Sequence, residues 1–403
     1  MNVVGKAWRV LREQGPRGLV RRLSKRLNAA PSIRDLPVSW ADAIAVDWTK
    51  PHPAVEHPLR VEANQVTVAW IMSPPGLGSG GHQNIFRFIK VLEDAGHTVR
   101  VYLYGDSEYG PAEVASMVAE SSSYPTVAAS FERLTDQGVA SDVTAIVATS
   151  WETAYPSFRD GSPARRFYFV QDFEPWFYPV GSASVLAENT YRFGFTGITA
   201  GRWLAEKLRT EYGMPTHHYD FGADPTSYFR TTAGARDEVF FYARPSTDRR
   251  GFELGLMALQ LVAQQRPDVT INLAGESLRG IEIPFEHVSL SGLSLEQLNT
   301  VYNRCATGLV LSLTNMSLLP LELLAAGVIP VVNDAPNNRL VSDNPFIDYV
   351  ALSPRAVADR MLAILESADL SVNSAAAAAS VAASTWDGAA AQFVEAFEGS
   401  MRD

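Results

Sequence analysis

Residues 66–104 have the sequence VTVAWIMSPPGLGSGGHQNIFRFIKVLEDAGHTVRVYLY, and this stretch decides the fold class. An apolar run at 66–72 is followed by a loop rich in proline and glycine, and then by a helical pattern at 83–95 that ends at Gly96. A second apolar run follows at 99–104. Because parallel strands need a long crossover between them, this order predicts a parallel sheet with helices on both faces.

The same alternation continues along the chain. Further strands are predicted at 144–148, 167–170 and 197–200, and after a turn-rich segment at 215–237 the alternation restarts at 239–242. We therefore predict an α/β protein of two Rossmann-like, doubly wound domains that face a central cleft, where the ligands of such sheets bind. The predicted segments are a basic helical and proline-rich segment (1–65), an N-terminal domain for the acceptor side (66–225), a C-terminal nucleotide-binding domain (226–385) and a last helix (386–403) that returns towards the N-terminal domain.

Composition excludes several classes of protein. The 403 residues give room for two or three domains, and 46% hydrophobic with 19% charged residues excludes a wholly disordered chain, a collagen-like repeat or a coiled coil. Cys305 is the single cysteine, which excludes an internal disulfide and a cysteine-based zinc cluster. Since no secretory leader and no apolar run of membrane-spanning length occurs, we expect a cytoplasmic protein.

Charge is distributed unevenly. Residues 1–27 contain eight basic residues against Glu13, although the whole chain carries a net charge of −10. The rest of the chain is acidic and would repel the phosphate backbone of a nucleic acid, so no nucleic-acid partner is expected. Two short basic amphipathic helices that carry Trp8 and several leucines are typical of a peripheral contact with a membrane surface. The alternative is a helix pair that packs on the body or on another subunit of a homo-oligomer.

A glycine-rich loop, GLGSGGH at 76–82, lies between the first predicted strand and helix. Gly80 and Gly81 would let backbone N–H groups approach a phosphate, and His82 at the helix start could donate to an oxyanion or simply cap the helix. The loop also fits G-x-G-x-x-G, with Asp106 at the end of the next strand. A NAD-dependent oxidoreductase is therefore an alternative function.

The stretch FVQDFEPWFY at 169–178 follows an apolar strand. A single residue separates Asp172 from Glu174, and aromatic residues surround both, so the two carboxylates are candidate hydrogen-bond acceptors for sugar hydroxyls. Two other interpretations remain: a hydrogen-bonded brace within the loop, or the D-x-E motif of a metal-chelating transferase of the single-domain type.

Two later stretches are candidates for anion and ribose binding. In YARPSTDRRG at 242–251, Arg244, Arg249 and Arg250 converge at a strand end, and a guanidinium matches a phosphate in two hydrogen bonds. A surface loop in which Asp248 pairs one arginine is the alternative. In SLTNMSLLPLELLAAG at 312–327, Glu322 lies among leucines, where ribose hydroxyls would supply the hydrogen bonds that a buried carboxylate needs. The alternative there is an ordinary acid in the first turn of a helix.

These stretches, in this order and spacing over residues 66–400, resemble a retaining glycosyltransferase of the two-domain GT-B fold, family 4, and most of all bacterial polysaccharide rhamnosyltransferases that use dTDP-L-rhamnose. The residues that carry the resemblance are GGHQN at 80–84, ATSWETAY at 148–155, FVQDFEP at 169–175, ITAGRWL at 198–204, YARP at 242–245 and PLE at 320–322.

The resemblance implies roles for individual residues. Arg244 and Arg250 would hold the donor diphosphate, and Glu322 matches the second acid of the family's E-x7-E pattern, which binds ribose. Asp172 and Glu174 would orient the acceptor, with Trp151 or Trp176 stacked on it. The remaining donor-site residues would be Gly80, Gly81, His82, Thr314, Asn315 and Ser317.

The implied reaction is transfer of a sugar, with L-rhamnose as the best match, from a nucleoside diphosphate to a hydroxyl of a growing cell-surface glycan or lipid-linked acceptor. The family needs no metal or separate cofactor. This chain departs from the pattern at Thr314, where the family has its first acid, and at Met316 and Ser317, where it has phenylalanine and glycine. A catalytically silent GT-B subunit that binds or assembles glycans is therefore a further alternative.

Overall fold

Two parallel sheets covered by helices build the part of the chain that the structure describes. The structure is a computed structural model, and it describes residues 36–50, 52, 59, 65–76, 79–105, 107–231 and 235–402. From Val38 onward these residues form one compact unit. The predicted basic helices at 1–27 and Asp106 lie outside the described residues.

The N-terminal lobe is built on a seven-stranded sheet in the order β3-β2-β1-β4-β5-β6-β7, with every neighbouring pair parallel. Its strands are β1 (Thr67–Met72), β2 (Thr98–Leu103), β3 (Ser130–Arg133), β4 (Ala145–Ala148), β5 (Arg165–Val170), β6 (Thr196–Ala200) and β7 (Thr216–Tyr219). Its helices are α1 (Trp40–Ala45), α2 (Gly80–Asp94), α3 (Pro111–Glu120), α4 (Trp151–Arg159), α5 (Ser182–Asn189) and α6 (Arg202–Tyr212).

The C-terminal lobe is built on a six-stranded parallel sheet in the order β10-β9-β8-β11-β12-β13. Its strands are β8 (Glu238–Ala243), β9 (Ile271–Gly275), β10 (Val288–Ser291), β11 (Cys305–Val310), β12 (Ile329–Asn333) and β13 (Asp348–Val350). The helices that follow β8 are α7 (Phe252–Gln265), α8 (Leu295–Tyr302), α9 (Leu319–Ala325), α10 (Pro336–Arg339), α11 (Pro354–Leu365), α12 (Leu370–Ser380) and α13 (Trp386–Arg402).

Both strand orders reverse direction at one point, between β1 and β4 in the first sheet and between β8 and β11 in the second. In open parallel sheets this switch point leaves a crevice at the carboxyl ends of the strands, where ligands bind. The predicted class of two doubly wound parallel sheets is confirmed. The segments that bear the candidate chemistry, after β1, β5, β8 and β11, all leave the carboxyl ends of strands at or near these crevices.

The last helix, α13, packs on the first sheet rather than on the second. Its Phe393 ring lies 4.6 Å from Phe88 of α2 and 5.9 Å from Phe169 of β5, measured between ring centroids. The Tyr219 ring of β7 lies 4.4 Å from the Phe88 ring, between centroids, at a tilt of 52°. Each such aromatic pair contributes about 0.5–1.5 kcal/mol beyond its area burial, so this cluster fixes the chain end to the N-terminal lobe.

Sequence patterns missed the short edge strands. β3 and β10 are four residues long and mostly exposed, so neither contains the apolar run by which buried parallel strands are predicted. By contrast, all six residues of β11 are buried. Within the described residues, none of the helices combines the length and the apolar character needed to cross a bilayer.

Candidate functional site

Three arginines lie in the segment that follows β8, at the switch point of the second sheet. The Arg244 Nε lies 3.1 Å from Glu276 Oε1, and the Arg249 Nε lies 3.3 Å from Asp172 Oδ2. Among the described residues, no carboxylate oxygen lies within 4 Å of the Arg250 guanidinium, whose Nη1 instead donates to Ser312 Oγ at 2.7 Å. Within the described part of the chain, acids therefore pair with Arg244 and Arg249 but not with Arg250.

Electrostatics around Arg250 favour an incoming anion. Burial lowers the pKa of Arg250, and the neighbouring charges of Arg249 and Arg244 lower it further, against the opposing effect of Asp172. A guanidinium nevertheless stays protonated in proteins. A cation that is removed from water beside other cations gains most from an anionic ligand, because the ligand supplies the missing counter-charge.

The loop after β11 is held by a cluster of asparagines that sequence reasoning did not single out. The carbonyl of Ser312 accepts from the side-chain amides of Asn333 at 3.0 Å, Asn337 at 2.9 Å and Asn338 at 3.2 Å. Asn333 Oδ1 accepts from the Ser312 N–H at 2.9 Å. Asn337 also donates to the carbonyl of Thr314. The cluster thus fixes the residue that positions Arg250.

Replacement of Asn337 by alanine is expected to lower the free energy of unfolding by about 1–3 kcal/mol, because it removes a donor from two buried carbonyls. The midpoint of urea unfolding measures this effect. Asn373→Ala is the matched control, since Asn373 lies exposed on α12. Equal midpoints for the two variants would contradict the structural role of Asn337.

Asp172 joins the two lobes. Its carboxylate accepts from Thr314 Oγ1 at 2.9 Å, from the Asn315 N–H at 2.8 Å and from its neighbour Phe173 N–H at 2.8 Å. Asn315 Nδ2 in turn donates to the carbonyl of Ala200 in β6 at 2.8 Å. An acid in place of Thr314 would set two carboxylates side by side, which costs free energy, so threonine at this position matches Asp172.

Glu174 is turned into the N-terminal lobe. It is buried and accepts from the Trp151 N–H at 2.6 Å and from the Tyr168 hydroxyl at 3.0 Å. Burial, reinforced by the nearby charge of Glu152, raises the pKa of Glu174 well above its usual range. Because Glu174 is buried within the N-terminal lobe, a direct contact of its carboxylate with an acceptor stays a prediction that this geometry does not favour.

Trp151 and Trp176 differ in how far they are exposed to solvent. Trp151 is only 1% exposed and its Nε1 donates to the Tyr178 hydroxyl at 3.0 Å, so the expectation that it stacks on a ligand is wrong. Trp176 is 50% exposed and remains available.

Glu322 is partly buried, and its side chain makes no hydrogen bond with any residue that the structure describes. Burial raises the pKa of Glu322 to about 7, and the charge of Arg87 opposes this shift. Arg87 belongs to α2 of the other lobe, where it lies 3.7 Å from the Trp386 ring centroid and donates to Asn84 Oδ1 at 2.7 Å. No sequence signal separated Arg87 from an ordinary helix cation.

The glycine-rich loop leads into α2. Burial lowers the pKa of His82, and its ring nitrogens contact Ser79 Oγ at 2.9 Å and the Ser73 carbonyl at 3.1 Å. Ser79 caps the helix, because its Oγ accepts from the His82 N–H at 3.4 Å, and the His82 ring meets an anion only if one of its own two contacts breaks. A Cβ at Gly80 would meet nothing within 4 Å, so open space lies beside Gly80, while the Gly81 carbonyl accepts from Gln171 Nε2 at 3.1 Å.

Asn315 lies beside Arg250, whose Nη1 donates to its carbonyl at 3.4 Å. Ser317 is partly exposed and follows the buried Met316. Among the residues that the structure describes, no three histidine, cysteine or carboxylate side chains are grouped so that they could hold a metal ion.

Comparisons with known proteins agree with this architecture. Residues 237–362 match the family model for the C-terminal domain of WsaF. The chain is 33% identical over 301 residues to the O-antigen biosynthesis protein RfbC of Myxococcus xanthus, an alignment that covers 71% of this chain but only 23% of that protein.

Solved structures extend the likeness to most of the chain. S. aureus TarM in complex with UDP aligns with a TM-score of 0.65 at 6% identity, over 82% of this chain and 99% of TarM. Anabaena HepE in complex with UDP-glucose aligns with a TM-score of 0.61 at 15% identity, over 83% and 99%. WaaG, a glycosyltransferase involved in lipopolysaccharide biosynthesis, aligns with a TM-score of 0.57 at 12% identity, over 82% and 100%. The fold of this chain is therefore GT-B, two Rossmann-like lobes with the carboxyl edges of their sheets opposed.

Proposed function

We propose that the chain is a glycosyltransferase of polysaccharide biosynthesis that transfers a sugar from a nucleoside diphosphate donor. The observation that carries this proposal is Arg250, a partly buried cation at the switch point of the second sheet that has no carboxylate partner among the described residues. The O-antigen biosynthesis protein RfbC and the lipopolysaccharide glycosyltransferase WaaG support the class of reaction. The alignment with RfbC spans about a quarter of that protein's length.

The proposed mechanism follows from the charges. Arg250 and Arg244 bind the diphosphate, and Glu322 accepts hydrogen bonds from the ribose. The bond between the anomeric carbon and the phosphate oxygen breaks, and the negative charge on the leaving diphosphate is stabilised by the two guanidinium groups. The acceptor oxygen forms its bond on the same face, so configuration is retained, and its proton passes to the leaving phosphate oxygen. This scheme needs no metal ion.

As the donor we propose dTDP-L-rhamnose. One support is the resemblance of the sequence to rhamnosyltransferases. The other is Thr314, which stands where that family has an acid and whose hydroxyl donates a hydrogen bond to Asp172. A 6-deoxy sugar has one hydroxyl fewer to bind, so it needs fewer acidic contacts. We further propose a lipid-linked glycan acceptor, met at the cytoplasmic face of the membrane through the basic residues 1–27.

A nucleotide panel tests the function. We expect dTDP to raise the melting temperature of the protein, NAD to leave it unchanged, and dTDP-L-rhamnose to bind more tightly than UDP-glucose by calorimetry. Stabilisation by NAD alone would support an oxidoreductase instead. Tighter binding of UDP-glucose would overturn the donor assignment and keep the reaction class. Binding of dTDP-L-rhamnose without hydrolysis or transfer under a broad acceptor panel would indicate a catalytically silent subunit.

A further inference from the structure

Two aromatic rings lie open to solvent beside the cleft. Trp176 is 50% exposed and Phe177 is 38% exposed, whereas the neighbouring rings of Phe173, Tyr168 and Tyr191 are buried. We refer to Trp176 and Phe177 together as the aromatic shelf. Neighbouring exposed apolar groups form a patch, and contiguous apolar patches mark interaction sites where single exposed side chains do not.

Buried hydrogen bonds hold the segment that carries the aromatic shelf. Its rings end the short 3-10 helix Glu174–Phe177, which the buried carboxylate of Glu174 anchors to the Trp151 N–H and the Tyr168 hydroxyl. The Glu174 N–H donates to the Tyr191 hydroxyl at 3.2 Å. A surface held in this way loses little conformational entropy when a ligand binds.

The Trp176 indole is partly covered by neighbouring side chains. The Phe173 ring centroid lies 4.9 Å away, the Trp203 centroid 5.9 Å away, and the Lys207 Nζ 5.1 Å from the indole centroid. Since half of the side chain stays exposed, a large part of the indole is accessible to a ligand.

The shelf is continuous with the cleft. The Arg249 guanidinium lies 4.1 Å from the Phe177 ring centroid, and the same guanidinium pairs with Asp172, which contacts Thr314 of the other lobe. A ligand on the shelf therefore lies next to the segment that carries Arg250, and on the N-terminal lobe rather than on the lobe of the arginines.

The chemistry of the shelf fits a sugar ring. A pyranose has one face of C–H groups, which packs on an aromatic ring, and a rim of hydroxyls, which need polar partners. Arg249, whose side chain is 32% exposed, offers donors at the rim on the side of the cleft.

We propose that Trp176 and Phe177 bind a pyranose ring of the acceptor glycan, an inference that rests on the proposed function and names the acceptor side of the same site. The Trp176 and Phe177 rings pack on the C–H face of the acceptor sugar at the edge of the cleft, and Arg249 donates hydrogen bonds to the hydroxyls of that sugar. Phe177 holds Arg249 by cation–π contact while Asp172 holds it by charge.

Saturation-transfer NMR on the full chain tests this inference. The probes are methyl α-L-rhamnopyranoside, methyl β-D-glucopyranoside and methyl β-D-galactopyranoside, each in the presence of dTDP. We expect saturation of the protein's aromatic protons to reach the ring C–H protons of at least one glycoside, and this transfer to be lost in Trp176→Ala. Trp176→Phe keeps an aromatic ring and is expected to retain part of the transfer.

Trp40→Ala is the matched control, because it also removes an exposed indole, 57% exposed on α1. Helix α1 lies near the Arg159 end of α4, through the ion pair of Asp42 with Arg159, and this is the end away from Trp151 and the cleft. We expect Trp40→Ala to bind the glycosides as the unmodified protein does. Circular dichroism of Trp176→Ala and calorimetry with dTDP show whether the variant is folded and keeps its donor site.

Three outcomes would overturn the inference. These are no transfer to any of the three glycosides, equal transfer in Trp176→Ala and the unmodified protein, and loss of sedimentation with phosphatidylglycerol vesicles in Trp176→Ala without any glycoside transfer. The last would assign the shelf to a membrane surface. Failure of dTDP to bind the unmodified protein, with glycoside transfer that depends on Trp176, would instead reject the proposed function and keep a sugar-binding shelf.

Discussion

Replacement of Arg250 by alanine is expected to lower kcat/KM for dTDP-L-rhamnose by about 100- to 1000-fold, the usual cost of losing one preorganised donor to a developing negative charge. Arg250 lacks a carboxylate partner among the described residues, and its Nη1 is held by Ser312 Oγ, so the guanidinium is both charged and fixed in place. The loss should fall on kcat as well as on KM, because the diphosphate gains charge as the donor bond breaks. Steady-state kinetics of transfer or of donor hydrolysis provide the measurement.

Two variants make this result specific. Arg250→Lys keeps the charge but not the two-pronged geometry, so we expect it to recover only part of the activity. Arg266→Ala removes a partly exposed arginine that directly follows α7 and pairs with Asp268, and should leave the kinetics unchanged. Equal activity of Arg250→Ala and Arg266→Ala would contradict the role given to Arg250.

The sequence predicted those parts of the fold in which burial leaves a simple pattern. Strands such as β1 and β11 are buried along nearly their whole length, so their apolar runs were visible, and glycines and prolines marked the turns. The edge strands β3 and β10 have mostly exposed side chains and no such run. Their place is set by pairing with β2 and β9, which is a tertiary contact that no local pattern contains.

As in the fold, the sequence predicted those residues of the candidate site that a local pattern marks. Residues that follow strands directly, such as Arg244 and Asp172, were found because the carboxyl ends of parallel strands share one edge. The different surroundings of Asp172 and Glu174 were not predictable from a spacing of two, since the 3-10 helix that begins at Glu174 turns its carboxylate into the lobe. The asparagines around Ser312 and the position of Arg87 near Glu322 depend on contacts between distant segments.

Donor binding is expected to weaken in acid because of Glu322. Burial raises the pKa of Glu322 to about 7 in the free protein, so the carboxyl is largely protonated below that pH. Ribose hydroxyls that donate to the carboxylate favour its ionised form, so binding must release the proton. The association constant for dTDP-L-rhamnose should therefore be constant above pH about 7 and fall by about tenfold per pH unit below it. Calorimetry in buffers of different ionisation enthalpy measures both the affinity and the released proton.

Variants at Glu322 and Arg87 test whether the pH dependence of donor binding comes from Glu322 or from another titrating group. Glu322→Gln should bind the donor more weakly at neutral pH and show no such fall in acid, because an amide has no proton to release. Arg87→Gln removes the charge that favours the ionised carboxylate, so the fall should begin at a higher pH than in the unmodified protein. Proton uptake on binding, or the same acid profile in Glu322→Gln as in the unmodified protein, would show that Glu322 does not accept from the ribose. If the profile is instead lost in Glu322→Gln and shifted in Arg87→Gln, a cation of the N-terminal lobe sets the pH at which the C-terminal lobe accepts its donor.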